Sequence, residues 1–442
     1  MFYSVINAIG SFVWGTPMLC GFLATGLYLS AKNGFFQIIG FRKWINLTIA
    51  DAFRKKEERT KSGGISPFAA LSSALAASLG TGNIVGIATA ICAGGPGTVF
   101  WMWISAILGM MTCCNENILA MKYRIRDSLG KWIGGPMYYI EKGLGSNGLA
   151  KIYAFLLIGA SLGMGNMTQA NSACASVSQF GIKPLGFAFV FAPLVLISVS
   201  GGLKRISSVS EKLIPILSAV FIGACIIIIF KNIRNVPDCL ALIVKEAFSL
   251  KSISAFGMAK AVRYGVSRGV FSNEAGLGSN SIIHASADCD EPAVQGMWGM
   301  FEVMFDTLIM CSVTAITVLS EGNVYSSGVN GIELCETVFY KNFGVFGAIL
   351  LSVCLCLYAY ATLIAWSYYG KSGAVYLFGE KAGNIYNVCF AVAAFVGCIM
   401  KLEAVWTISD VFNGLMAIPN LIAVLFLSRQ AKSEMDKAKR LR

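Results

Sequence analysis

Stretches of about 20 apolar residues, separated by short polar connections, recur along the whole chain. The pattern predicts eleven membrane-crossing helices, at 11–31, 67–93, 98–121, 152–173, 184–201, 213–230, 255–285, 296–319, 345–369, 384–400 and 405–427. Two of these runs contain sequence that an unbroken helix does not favour. The second reads ASLGTGNIVG (77–86), where Gly80, Gly82 and Gly86 weaken the helix and Asn83 competes for backbone hydrogen bonds. The seventh, GVSRGVFSNEAGLG (265–278), is equally rich in glycine and polar groups, and Arg263, Arg268 and Glu274 interrupt it. An unwound turn at membrane depth persists only where it is buried in protein or lines a wet cavity.

The two interrupted runs lie five spans apart. That spacing suits an inverted repeat, with spans two to six (67–231) as one half, seven to eleven (255–428) as the other, and an extra N-terminal helix and linker at 11–66. The expected fold is therefore an all-α polytopic membrane protein with a 5+5 inverted repeat, ending in a basic tail at 429–442. Broken helix ends expose N–H groups that can hold a carboxylate, and freed carbonyls can coordinate a small cation.

Composition narrows the class. Of 442 residues, 56% are hydrophobic and only 13% charged, against about 25% charged in soluble domains, so lipid is the main solvent and a single membrane domain is expected. The net charge of +12 does not indicate nucleic acid, because the cations fall in short connections rather than on one face. With the N-terminus outside, the cytoplasmic connections hold Arg42, Lys43, Arg54, Lys55, Lys56, Arg59 and Lys61, then Lys122, Arg124, Arg126, Lys131 and Lys142, then Lys204, Arg205 and Lys212, and finally the C-terminal tail. The opposite side receives little beyond Lys183 and the acidic group Glu321, Glu333 and Glu336. This asymmetry obeys the positive-inside rule. Only 231–251 is basic on the wrong side, which suggests an interfacial helix there.

The 14 cysteines lie mostly in apolar runs, without a CxxC pair and with a single histidine, His284, so they read as small packing residues. Neither a metal centre nor a disulfide framework is expected. No basic n-region with a cleavage site opens the sequence, so the first apolar run is expected to remain as a helix. P-loop, GxSxG and paired catalytic carboxylate contexts are missing, and catalysis is not expected. The intramembrane groups Glu116, Arg268, Glu274, Glu302, Asp306 and Asp410 are expected to pair with one another, and His284 to be structural; a proton relay through Glu274 or Asp306 is the sharper alternative. Trp101, Trp103 and Trp298 read as interface anchors or packing residues.

Long ordered motifs then carry a family resemblance: SLGTGNIVGIATAI (78–91), GGPGTVFWMWISAILGM (94–110), GGPMYYIEKGLG (134–145), GNMTQANS (165–172), GGLKRISSVSEKLIP (201–215), GVSRGVFSNEAGLGS (265–279), QGMWGMFEVMFDT (295–307), WSYYG (366–370) and NGLMAIPN (413–420). The chain resembles the alanine or glycine:cation symporter family, whose members carry alanine or glycine with sodium on a leucine-transporter-like core. The resemblance implies substrate contacts at Thr81, Gly82, Gln169, Phe271, Asn273, Thr362 and Trp366. It also implies a sodium ion held by carbonyls among Ala77, Ser78 and Gly80 with the hydroxyl of Thr362. Gln169 and Asn273 can serve a zwitterion's ammonium without a buried charge, while Phe271 and Trp366 would restrict side-chain length. The chain departs from the family pattern at Ala361 (threonine expected), at Ala365 (glycine expected) and around Asn115-Glu116-Asn117.

The implied activity is import of alanine or glycine coupled to sodium by alternating access, across a bacterial or archaeal plasma membrane, with sodium as coupling ion and no other cofactor. A proton-coupled carrier of small amino acids and a non-transporting membrane sensor are the competing readings. The sensor is disfavoured because no soluble output domain is present.

Overall fold

The computed structural model describes residues 9–50, 64–249, 257–322, 331–400 and 403–440. The expected cytoplasmic charges Arg54, Lys55, Lys56, Arg59 and Lys61, the end of the 231–251 stretch and the first residues of the 255–285 segment lie outside these. The described chain is almost wholly helical, apart from a two-stranded ribbon, β1 (Ile125–Arg126) and β2 (Trp132–Ile133). Among the described residues, eight helices are long and apolar enough to cross a membrane, at Ile9–Lys32, Gly97–Lys122, Asn147–Ser178, Gly202–Lys231, Pro292–Ser320, Val345–Phe378, Glu380–Ile399 and Ile408–Ala438.

The shorter apolar helices are informative because the sequence explains their ends. After α1 (Thr16–Lys32) comes α2 (Pro67–Ser78), where the Ser66 side chain accepts a hydrogen bond from the Ala69 amide and Pro67 occupies the first turn. It stops at Leu79, and Gly80 is extended (φ −110°, ψ −157°). One 3₁₀ turn, Thr81–Asn83, leads into α3 (Val85–Gly94). The Asn83 side chain accepts from the Gly80 amide at 3.2 Å, so the residue that weakens the helix also satisfies the opened backbone. The second break has a different cause. Helix α11 (Gly257–Asn273) ends where Glu274, Gly276 and Gly278 take φ of 57°, 96° and 78°, a left-handed path that no helix can follow, before the short α12 (Asn280–His284).

Between the breaks run α4 (Gly97–Lys122), α5 (Pro136–Leu144), α6 (Asn147–Leu162) continued through a π turn at Gly163–Met167 into α7 (Thr168–Ser178), α8 (Pro184–Ser200), α9 (Gly202–Lys231) and α10 (Val236–Ala247). After them come α13 (Pro292–Val303), a π segment at Met304–Cys311, α14 (Ser312–Ser320), α15 (Gly331–Phe343), α16 (Val345–Phe378), α17 (Glu380–Ile399) and α18 (Glu403–Ala438). The α10 helix falls in the basic 231–251 stretch. Its Ala247 carbonyl accepts from the Trp101 indole, so it is tied to α4.

Helices sort into two groups by packing. In one, α4 lies against α11 and α13; in the other, α6 and α7 lie against α16, and α8 against α17. Glycine makes the first contact close: a Cβ at Gly265 would sit 2.4 Å from the Thr98 carbonyl oxygen of α4, and one at Gly299 would sit 2.2 Å from the Asn117 amide nitrogen. Trp298 is buried, so it is a packing residue rather than an interface anchor.

Candidate substrate and cation site

The two breaks face each other. The unwound Gly80 backbone approaches α16 and α7 so closely that a Cβ there would lie 2.9 Å from Thr362 Oγ1 and 3.2 Å from Gln169 Oε1. Gln169 accepts from the Thr81 hydroxyl at 3.1 Å and from its amide at 3.5 Å, and Thr362 donates to the Leu79 carbonyl at 3.5 Å. Thr81, Gln169 and Thr362 are therefore gathered around one opened turn, and all three are buried. Gly82 has open space where a side chain would be. Ala77 is buried, and the Ser78 hydroxyl turns back onto the Ala74 and Leu75 carbonyls of its own helix at 3.3 and 3.4 Å. Leu79 is thus the residue of this turn whose carbonyl Thr362 meets.

A second cluster ties the two breaks together. Asn83 Nδ2 donates to Asp306 Oδ1 at 2.6 Å and to Ser272 Oγ at 3.0 Å. Ser272 donates to Asp306 Oδ2 at 2.9 Å, and Thr307 Oγ1 donates to the same oxygen at 2.7 Å. Asn273 joins through its amide, which donates to Thr307 Oγ1 at 3.0 Å, while its own oxygen accepts from the Ala275 amide at 3.0 Å. Asp306 sits in the π segment, whose wider turn lets consecutive Asp306 and Thr307 both contribute to the cluster.

Trp366 is also at the breaks. Its indole donates to Glu274 Oε1 at 3.1 Å, and Glu274 Oε2 accepts from the Ser279 hydroxyl. The ring lies against Gly165, where a Cβ would come within 2.4 Å of it. Phe271 faces a separate cavity beside Arg268, whose guanidinium carbon lies 5.4 Å from the ring centroid.

The intramembrane carboxylates do not pair with one another as the sequence suggested. Glu116 accepts from Asn420, which also donates to the Gly276 carbonyl at 2.8 Å; Glu302 meets His284 Nε2 at 3.0 Å, and His284 Nδ1 meets Gln295 at 2.6 Å. Among the described residues no lysine or arginine forms an ion pair with Glu116, Glu274, Glu302 or Asp306. Amides and hydroxyls solvate Glu116 and Asp306, an indole and a hydroxyl meet Glu274, and the imidazole of His284 meets Glu302. Sequence reasoning marked Asp306 as ionisable and Asn83 as a helix breaker, but did not join them with Ser272 and Thr307. The available signal was a carboxylate and hydroxyl side by side, Asp306-Thr307, within an apolar run.

Comparison with known proteins identifies the fold and the family. The structure resembles that of MhsT in complex with L-phenylalanine, with a TM-score of 0.60 at 12% identity, covering 86% of this chain and all of that one. It also resembles a sodium-coupled sialic acid symporter in a substrate-bound outward-open state, with a TM-score of 0.53 at 13% identity, covering 98% and 87%. At these identities the likeness establishes the fold, that of leucine-transporter-like carriers. In sequence, the chain is 40% identical over 441 residues to the sodium/alanine symporter AgcS of Methanococcus maripaludis, covering 98% of this chain and 96% of that one. It is 34% identical over 428 residues to the probable sodium/glutamine symporter GlnT of Bacillus subtilis, covering 96% and 88%. The model of the sodium:alanine symporter family matches residues 1–441, and the chain belongs to that family of membrane transporters, which are not enzymes.

Proposed function

We propose that the protein imports a small neutral amino acid, alanine or glycine, together with sodium, by alternating access. The observation that carries this reading is Asp306. Its carboxylate is buried, bridges both helix breaks through Asn83 and Ser272, and among the described residues forms no ion pair with a lysine or arginine. Removing a carboxylate from water is costly unless a counter-charge arrives, and a small hard cation among carboxylate, amide and hydroxyl oxygens supplies one. Binding there would hold the two unwound turns in register. The amino acid would then complete the site between Thr81, Gln169 and Thr362 on one side and Asn273 on the other. The alternative sodium position at Ala77, Ser78, Gly80 and Thr362 shares the same turn, and Thr362 keeps a place in it.

The packing supports the finer architecture, eleven spans in a 5+5 arrangement behind an N-terminal helix. The contact of α6 with α16 and of α8 with α17 is what two inverted halves would make, since each pair joins corresponding spans. Orientation follows the charge asymmetry, with the N-terminus outside and the basic tail in the cytoplasm of a bacterial or archaeal cell.

Reconstitution in liposomes tests the reading. Alanine and glycine uptake is expected under an inward sodium gradient and not with potassium in its place. Uptake driven equally by a proton gradient without sodium would instead favour the proton-coupled reading, for which Asp306 is also the natural carrier of the charge.

A further inference from the structure

The apolar stretches of α1 and α18 end side by side. Lys32, the last residue of α1, donates to Ser428 Oγ at 2.8 Å, and Ser428 directly follows Leu427, where the apolar run of α18 stops. Lys432 and Lys439, further along α18, donate to the Lys32 and Asn33 carbonyls at 2.9 Å each and so cap the end of α1. Two helices that begin far apart in sequence are thus fastened at one level, the level at which hydrocarbon sequence gives way to polar sequence in both.

The acids of this region are already engaged. Glu434 pairs with Lys122 at 3.2 Å and with Lys437 at 2.8 Å, and Asp436 lies 3.6 Å from both Lys432 and Lys439. Lys32 and Arg429 form no ion pair among the described residues. Lys32 meets neutral oxygens instead, the Tyr28 hydroxyl at 3.0 Å and Ser428, which use two of the three bonds an ammonium can make. Arg429 is exposed, and its charge acts on the same Tyr28 hydroxyl. Two cations without a counter-charge therefore converge on one seam. Just inside it, in the apolar sequence, Leu27, Leu425 and Phe426 are exposed.

This combination selects a class of molecule. A phosphodiester carries one negative charge on two free oxygens, which accept from ammonium and guanidinium groups together. Acyl chains attached to it would lie along Leu27, Leu425 and Phe426. A choline headgroup brings a cation of its own, which unbalanced positive charge repels, whereas a glycerol headgroup leaves the lipid with a net negative charge.

We propose that the paired ends of α1 and α18 bind the headgroup phosphate of an anionic phospholipid, with Lys32 and Arg429 as the charged contacts. The lipid bridges the N-terminal helix to the last helix of the bundle.

Purified protein in detergent is titrated with phosphatidylglycerol or with phosphatidylcholine of the same acyl chains, and the first bound lipid is followed by native mass spectrometry. Phosphatidylglycerol is expected to bind about tenfold more tightly or better. Lys32→Gln combined with Arg429→Gln is expected to weaken it by about tenfold or more while leaving phosphatidylcholine unchanged. Lys32→Arg combined with Arg429→Lys keeps both charges and is expected to retain the parent affinity within about threefold, which separates lost charge from lost folding. Arg205→Gln, which removes an exposed cation at the start of α9, is expected to change nothing. Equal affinity of the unsubstituted protein for the two lipids overturns the site. So does undiminished phosphatidylglycerol binding by the double glutamine variant, or an equal loss in Arg205→Gln. Millimolar inorganic phosphate is expected not to displace the lipid; displacement would assign the seam to a water-borne anion and overturn the lipid assignment.

Discussion

Asp306 accepts hydrogen bonds from Asn83, Ser272 and Thr307, three neutral donors drawn from both sides of the broken helices. Replacing it by asparagine keeps the volume and removes the charge. Under the proposed mechanism Asp306→Asn is expected to raise the sodium concentration for half-maximal uptake by about tenfold or more, a cost of roughly 1.4 kcal/mol or greater in cation binding. Sodium titrations of liposome uptake check this, and an unchanged sodium dependence would move the ion elsewhere. Gly165 offers a structural counterpart, because the Trp366 ring occupies the place of its Cβ. Gly165→Ala is expected to lower stability by about 1–3 kcal/mol through overpacking, read as a fall in melting temperature in detergent. Asn420 serves two acceptors, Glu116 and the Gly276 carbonyl, and Tyr139 donates to it in turn. Asn420→Ala takes a donor from both buried acceptors and is expected to cost about 1–3 kcal/mol, read as a fall in melting temperature in detergent.

At the scale of elements, the apolar runs were legible because hydrocarbon imposes a length and a composition that few other environments require. The breaks were legible too: Gly80, Gly82 and Asn83, and then Glu274 to Gly278, announce themselves as poor helix formers inside apolar sequence. The partners across the bundle were not. Asp306 lies 223 positions from Asn83 and 34 from Ser272, and helical periodicity carries no information about which of several polar side chains will meet. For the same reason the hydrogen bond from the Trp366 indole to Glu274 was not legible in the sequence. Outside the apolar spans, Glu321 clamps the end of α9 to α15, accepting from Asn232 at 2.7 Å and from Asn342, and pairing with Lys341 at 2.6 Å. Burial pushes its carboxyl upward, but these three donors outweigh that and hold it below the usual carboxylate range. A folded-state value below the unfolded one contributes stability above about pH 4.3, and that contribution is lost as pH falls through the lower, folded value. Glu321→Gln is therefore expected to lower the neutral plateau of the melting temperature and to flatten its acid limb between about pH 3 and 5, so that variant and parent converge in acid. An identical acid limb in the variant would deny Glu321 this role.

Taken as a whole, the molecule has a cavity beside Phe271, near the start of α4. Just beyond the other end of α4, Arg124 donates to the Ala285, Ala287 and Cys289 carbonyls at 3.2, 2.7 and 2.9 Å and stacks over Trp132. Arg124→Ala is expected to raise the rate of Cys289 labelling by thiol reagents about threefold or more, as the closed population declines. An unchanged rate would show that the arginine does not hold this end shut. Beneath the arginine lies a parallel bridge in which the Ile65 amide donates to the Ser286 carbonyl at 3.1 Å and the Asp288 amide donates to the Ile65 carbonyl at 2.7 Å. It joins the chain just before α2, where the first broken helix begins, to the chain just after α12, where the second one ends. Because this latch is made of peptide groups, ordinary side-chain replacement leaves its bonds intact, and only proline at 65 or 288 deletes a donor. Side chains around the site can therefore be exchanged freely without loosening the fastening between the two broken helices.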